Sequence, residues 1–197
     1  KNGRYGSDAQ LRQAAGVFSP KVLINCLGVN QLSMLEASDT CDTRTMMAVN
    51  LEAPINCCRT LLPLLKRQSE AAIINVGSIL SRQAFDDVVP YACSKHAVLA
   101  MINGGAKALV DHNITVNGYG PGVVRTELWE QLDKDLVSIG KFDKQGQSMD
   151  ELAEKMILMK RYSYPEDVVG TASFLASPES DYMTGQLLMI DGGMIMQ

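Results

Sequence analysis

Apolar positions in this chain fall into short continuous runs, separated by stretches with helical spacing. Val22-Leu23-Ile24-Asn25-Cys26, Ile73-Ile74-Asn75-Val76, Ile114-Thr115-Val116-Asn117 and Leu187-Leu188-Met189-Ile190 read as four strands. The segments from about Thr43 to Lys66, Tyr91 to Asp111 and Pro165 to Ala176 carry the wider helical period. Strands alternating with helices predict parallel pairing and right-handed crossovers. Strands that are apolar throughout suit a sheet covered on both faces. Residues at about 127–163 are more polar and read as an insertion with helices of its own. One domain over residues 1–197 is expected, with no internal repeat.

Composition narrows the function classes. Apolar residues make up 46% and charged residues 20% of the 197 residues, as in ordinary globular chains. The net charge of −4 and the lack of a basic patch argue against nucleic acid as a partner. No apolar run is long enough to span a bilayer, so no membrane role is expected. The five cysteines, Cys26, Cys41, Cys57, Cys58 and Cys93, lack metal-ligand spacing. They suggest free thiols in a reducing compartment such as the cytoplasm, serving as small buried apolar side chains. No metal site is expected.

The chemistry concentrates at Tyr91-Ala92-Cys93-Ser94-Lys95. Residues four apart share a helix face, so the Lys95 ammonium can sit near the Tyr91 phenol and favour its ionised form. A tyrosine tuned this way can exchange a proton with a hydroxyl or carbonyl. Ser78 stands thirteen residues upstream, just past a strand-like run, and Pro121-Gly122 follows the next one. Pro54 lies inside a helical stretch and has no N–H for the Asn50 carbonyl. That carbonyl is free to hold a water, or the proline makes a simple packed kink. Trp129 is either a wall of a substrate pocket or a hydrophobic lid. His96 and His112 read as surface or packing residues.

Together these segments resemble the short-chain dehydrogenase/reductase family. Asn25-Cys26-Leu27-Gly28 is similar to its NNAG segment, and Ser78, Tyr91 and Lys95 match its catalytic serine, tyrosine and lysine. Asn50 matches its helix asparagine, and Pro121-Gly122-Val123-Val124-Arg125-Thr126 its PGxVxT segment. Thr184-Gly185-Gln186 and Asp191-Gly192-Gly193 match its closing pattern. The resemblance implies a Rossmann-like α/β fold, a parallel sheet with helices on both faces. It implies hydride exchange between NAD(H) or NADP(H) and a secondary alcohol or ketone. Ser78, Tyr91, Lys95 and Asn50 would be catalytic, with Asn50 anchoring a water that leads from Lys95. Asn25, Gly28, Tyr91, Lys95, Pro121, Gly122, Val124 and Thr126 would meet the cofactor, and Ser78, Tyr91 and Trp129 the substrate. A homodimer or homotetramer is implied, through the helices at Thr43–Lys66 and Tyr91–Asp111.

Within the family, Ile114-Thr115-Val116-Asn117-Gly118-Tyr119, Leu128-Trp129 and Ser180-Asp181-Tyr182-Met183-Thr184-Gly185 look like acetoin/diacetyl reductases and related polyol dehydrogenases. The chain departs from the family in lacking the TGxxxGxG loop and the strands around it. The first strand seen here would then be an exposed sheet edge. Leu27 could crowd the ribose side of the site. That loop supplies backbone donors to the pyrophosphate, so these 197 residues alone are expected to bind dinucleotide poorly. A non-catalytic chain that keeps the family's packing and assembly surfaces is the alternative. An epimerase or lyase of related fold also uses a Tyr-x-x-x-Lys pair, but the PGxVxT and closing segments fit a reductase better.

Overall fold

The computed structural model describes residues 8–32 and 34–196. Four parallel strands lie in the order β1 (Val22–Asn25), β2 (Ala71–Val76), β3 (Ile114–Pro121) and β4 (Leu187–Ile190). Asn25 pairs with Asn75, Asn75 with Gly118, and Gly118 with Leu187, so one transverse row crosses all four strands. The β3 strand runs four residues past the expected Ile114–Asn117. Gly118 and Gly120 sustain it, because their missing side chains admit close neighbours. A Cβ on Gly118 would stand 2.4 Å from the Asn75 carbonyl oxygen and 2.6 Å from Ile102.

Helices cover both faces. On one face, α3 (Ala53–Leu65) lies against β1 and β2, and α4 (Val89–Leu109) against β3. Leu65, Ile73, Ala106, Ile114 and Val116 form the core between them. The first helix, α1 (Asp8–Phe18), was not apparent in the sequence and packs on α3. On the other face, α7 (Pro165–Leu175) covers β2 and β3 through Leu175, Ile74 and Tyr119. Helix α7 does not reach across β1, so Ile24 on that face is 45% exposed. Helices α5 (Glu127–Ser138) and α6 (Gln147–Met156) lie between β3 and α7. The buried Asp133 carboxylate ties them together by accepting the Gly146 N–H at 2.6 Å and the Ser148 hydroxyl.

The stretch expected as one helix from Thr43 is built in three parts. Helix α2 (Thr40–Met47) starts at Asp39, whose carboxylate accepts the Cys41 N–H at 2.6 Å. A π-helical turn follows at Ala48–Glu52, and α3 begins at Ala53. The Ala53 N–H reaches back five residues to the Ala48 carbonyl. Pro54 comes next and supplies no donor, so the hydrogen-bond ladder changes step here. Among the described residues, no helix is long and apolar enough to cross a membrane.

The cysteines differ from expectation. All five are free thiols, but Cys26, Cys41 and Cys93 are exposed and Cys57 is half-buried; Cys58 alone packs against the core, beside Leu65 and Ile73. Cys93 and Cys41 lie on outward turns of α4 and α2. Cys26 lies just beyond the end of β1.

Candidate active site

A cleft of about 730 Å³ opens at the carboxyl ends of the strands. This is the place where open parallel α/β sheets accept ligands. Ser78 follows β2 and begins a short 3-10 turn, Ile79–Ser81. Its hydroxyl accepts the Leu80 N–H at 3.1 Å, and the Ser81 hydroxyl accepts the Ser78 N–H at 3.2 Å. These reciprocal bonds fix where Ser78 points. Tyr91 stands in the first turn of α4, which Pro90 starts without wasting a donor. The Tyr91 and Ser78 side chains meet inside the cleft. Lys95 is one turn further on. Its Nζ donates to the Val76 carbonyl at 3.0 Å and lies 5.7 Å from the centroid of the Tyr91 ring.

The electrostatics depart from the sequence expectation. Burial pushes the Tyr91 phenol up to about 12, and the polar Ser78 side chain only partly opposes it. Burial pushes the Lys95 ammonium down to about 8, with the Cys26 thiol opposing the shift. Lys95 does not bring the phenol into the neutral range. Desolvation of a buried phenol outweighs a cation that is itself desolvated and bonded to a carbonyl. At neutral pH Tyr91 therefore holds its proton and is a donor.

Asn50 sits in the π-turn and is fully buried. Its Oδ1 accepts the Val29 N–H at 2.8 Å. Its Nδ2 donates to the Val29 carbonyl at 2.9 Å and to the Ser94 hydroxyl at 3.0 Å. Ser94 in turn donates to the Tyr91 carbonyl at 2.7 Å. Asn50 thus joins α4 to the loop after β1. That loop carries Gly28, where a Cβ would stand 3.7 Å from Lys95 Nζ and 3.9 Å from Asn50 Oδ1. The glycine leaves an open strip beside both groups.

Most of the predicted residues meet here. Gly28, Ser78, Tyr91, Lys95, Pro121, Gly122, Val124, Thr126 and Trp129 all line the cleft. The Asn25 side chain does not. It turns under the sheet, donating to Asn75 at 2.8 Å and towards the Cys58 sulfur at 3.4 Å, and so staples β1 to β2 beneath the site. The lining residues that escaped the sequence reading as site residues include Cys26, just past the end of β1, and Tyr119, near the end of β3. Burial, chiefly, pushes the Tyr119 phenol up to about 12. Their position at strand ends was the signal available. His96 and His112 are outside the cleft, as expected; His96 Nδ1 lies 2.9 Å from the Ala92 carbonyl. Among the described residues, no cluster of three or more His, Cys, Asp or Glu could hold a metal ion.

The model of the family described as "Enoyl-(Acyl carrier protein) reductase" matches residues 13–195 of this chain. The chain belongs to the short-chain dehydrogenase/reductase family. Among curated family members, it is 37% identical over 131 residues to a diacetyl reductase [(S)-acetoin forming] of Staphylococcus epidermidis. That match covers 66% of this chain and 51% of the relative. It is 43% identical over 124 residues to an L-2,3-butanediol dehydrogenase of Corynebacterium glutamicum, covering 62% and 47%. The chain thus spans about half the length of these two relatives. Among solved short-chain dehydrogenase/reductase structures, a gluconate 5-dehydrogenase from Burkholderia cenocepacia, in complex with NADP and tartrate, superposes with a TM-score of 0.83. It is 30% identical, and the superposition covers 95% of this chain and 71% of that one.

Proposed function

We propose that this protein is a NAD(P)(H)-dependent oxidoreductase that interconverts a secondary alcohol and a ketone of the acetoin, diol or polyol type. The observation that carries this reading is the Ser78–Tyr91 pair beside Lys95, inside a cleft walled by Pro121–Thr126. The residues fit the nicotinamide half of a dinucleotide. Gly28 leaves the open strip beside Lys95, and the Pro121-Gly122 backbone forms the wall facing it. The sequence contains no TGxxxGxG segment for the pyrophosphate half. When bound, the dinucleotide supplies or accepts the hydride at nicotinamide C4.

The chain's own groups do the rest. Ser78 Oγ hydrogen-bonds the substrate oxygen and fixes its position. Tyr91 Oη, protonated at neutral pH, donates its proton to that oxygen in the reductive direction and takes it back in oxidation. Lys95 Nζ holds the ribose side of the cleft and returns a proton towards Tyr91. Asn50 holds the Val29 loop and leaves its own carbonyl for a water leading out from Lys95. The apolar walls exclude bulk water, which strengthens each of these contacts.

The free thiols fit a reducing compartment, the cytoplasm. The relatives named for diacetyl and 2,3-butanediol support the acetoin side of the reading. The test is Tyr91→Phe. In a chain extended upstream by the family's glycine-loop unit, turnover of acetoin-like or polyol substrates should fall at least a hundredfold, while dinucleotide affinity, measured by calorimetry, stays within a few-fold. Substantial activity in this variant would overturn the assignment. Absence of turnover with either dinucleotide in the otherwise unaltered extended chain would favour a non-catalytic role.

A further inference from the structure

We infer that the substrate end of the cleft selects neutral ketones flanked by hydrocarbon, with preference rising with alkyl length, over polyols and sugar acids. The inference rests on the oxidoreductase reading above and narrows its substrate class. Three observations carry it.

The first is what α5 and α6 contribute. Leu128, Leu132 and Leu136 from α5, Phe142 from the connection, and Leu152 and Met156 from α6 all line the cleft. This wall is hydrocarbon on both helices. The second is the state of the cations. Lysines 95 and 141 are the cations of the lining. Lys95 donates to the Val76 carbonyl, and Lys141 is ion-paired with Asp87 across the cleft. Asp86 also lines it. At the α5–α6 end a substrate carboxylate would therefore meet Asp86 and an already paired Lys141, while Lys95 stands at the ribose side. The third is the scarcity of open hydrogen-bonding groups. Of the polar groups on α5 and α6, the Ser148 hydroxyl is already bonded to Asp133, and Trp129 Nε1 is a buried donor with no partner. One donor serves a single further oxygen, as in a vicinal dicarbonyl or hydroxyketone. A sugar alcohol turned to this wall brings several hydroxyls that α5 and α6 leave without partners.

Trp129 is the sole tryptophan of the chain and lines the cleft, so its emission reports binding there without any turnover. The probes are 2,3-butanedione, 2,3-pentanedione and 2,3-hexanedione, with sorbitol and gluconate as counter-probes, titrated with and without oxidised dinucleotide. Affinity should rise about fourfold per added methylene, with no saturable response to sorbitol or gluconate. Leu128→Asn alters an exposed turn of α5 that the core does not need, and it should weaken the longest ketone most. A flat or falling dependence on chain length, or saturable binding of either counter-probe, overturns the inference. Turnover is measured in parallel with NADH and NADPH. A chain-length gradient without turnover supports the inference and overturns the activity reading. Turnover without the gradient overturns the inference alone.

Discussion

Tyr91 and Lys95 lie on one face of α4, and burial moves their proton affinities in opposite directions. Between about pH 8 and the ordinary lysine value near 10.5, the unfolded chain holds a proton on Lys95 that the native state has released. Stability must rise with pH across that window, by up to roughly 3 kcal/mol for this group. Tyr91 acts with the opposite sign. Between its ordinary value near 10 and about 12, the native state keeps a proton that the unfolded chain loses, and stability falls. Urea unfolding of the unaltered protein and Lys95→Met, compared from pH 7 to 10, should show the former gaining on the latter above pH 8. A constant difference would mean that Lys95 is not desolvated. The identity and spacing of these residues were legible in the sequence, because a four-residue step fixes a helix face whatever surrounds it. Their proton affinities were not. Spacing places Lys95 near Tyr91, but the depth of burial decides whether charge or desolvation prevails.

At the scale of elements, the turn at Ala48–Glu52 shows how one residue type reshapes a helix. Pro54 flagged the disturbance, since a missing N–H can be read directly. The sequence did not reveal that the Asn50 side chain clamps the Val29 backbone and holds Ser94. Those partners lie 21 and 44 residues away along the chain. Asn25 was obscured for a similar reason. Alternation along β1 turns it to the α3 face, and only the observed register sets it opposite Asn75. Asn50→Ala removes three hydrogen bonds at a buried position and leaves the Ser94 and Val29 groups short of partners. It should cost about 2–4 kcal/mol in urea unfolding. It should also loosen the Gly28–Val29 loop, seen as faster amide exchange at Val29. Unchanged exchange there would mean that the loop holds its shape without the clamp. The strands were legible because apolar runs mark a doubly covered sheet. The extension of β3 was not, since Asn117-Gly118-Tyr119-Gly120 has the composition of a turn.

For the whole molecule, α4 leaves an outward face of small residues, with Cys93, Ala100, Gly104 and Ala108 exposed. Small side chains let a second helix approach closely, which suits the pairing through α3 and α4 that we propose for a dimer or tetramer. Light scattering at micromolar concentration should give a multiple of the 21.4 kDa chain mass, and Ala100→Arg should reduce it. A monomeric mass for the unaltered protein would remove that proposal. The all-parallel order of the sheet has a separate consequence, in time rather than in space. No strand can pair with a neighbour through a tight hairpin. The chain must travel from Asn25 to Ala71, from Val76 to Ile114, and from Pro121 to Leu187 before each pairing closes. Every ladder therefore waits on the entropy of a long loop, and refolding should take milliseconds to seconds rather than microseconds. During that interval the runs that become β2 and β3 lie bare to other chains. Recovery after rapid dilution from urea should fall steeply as protein concentration rises, whereas the rate for chains that do refold should not change with it.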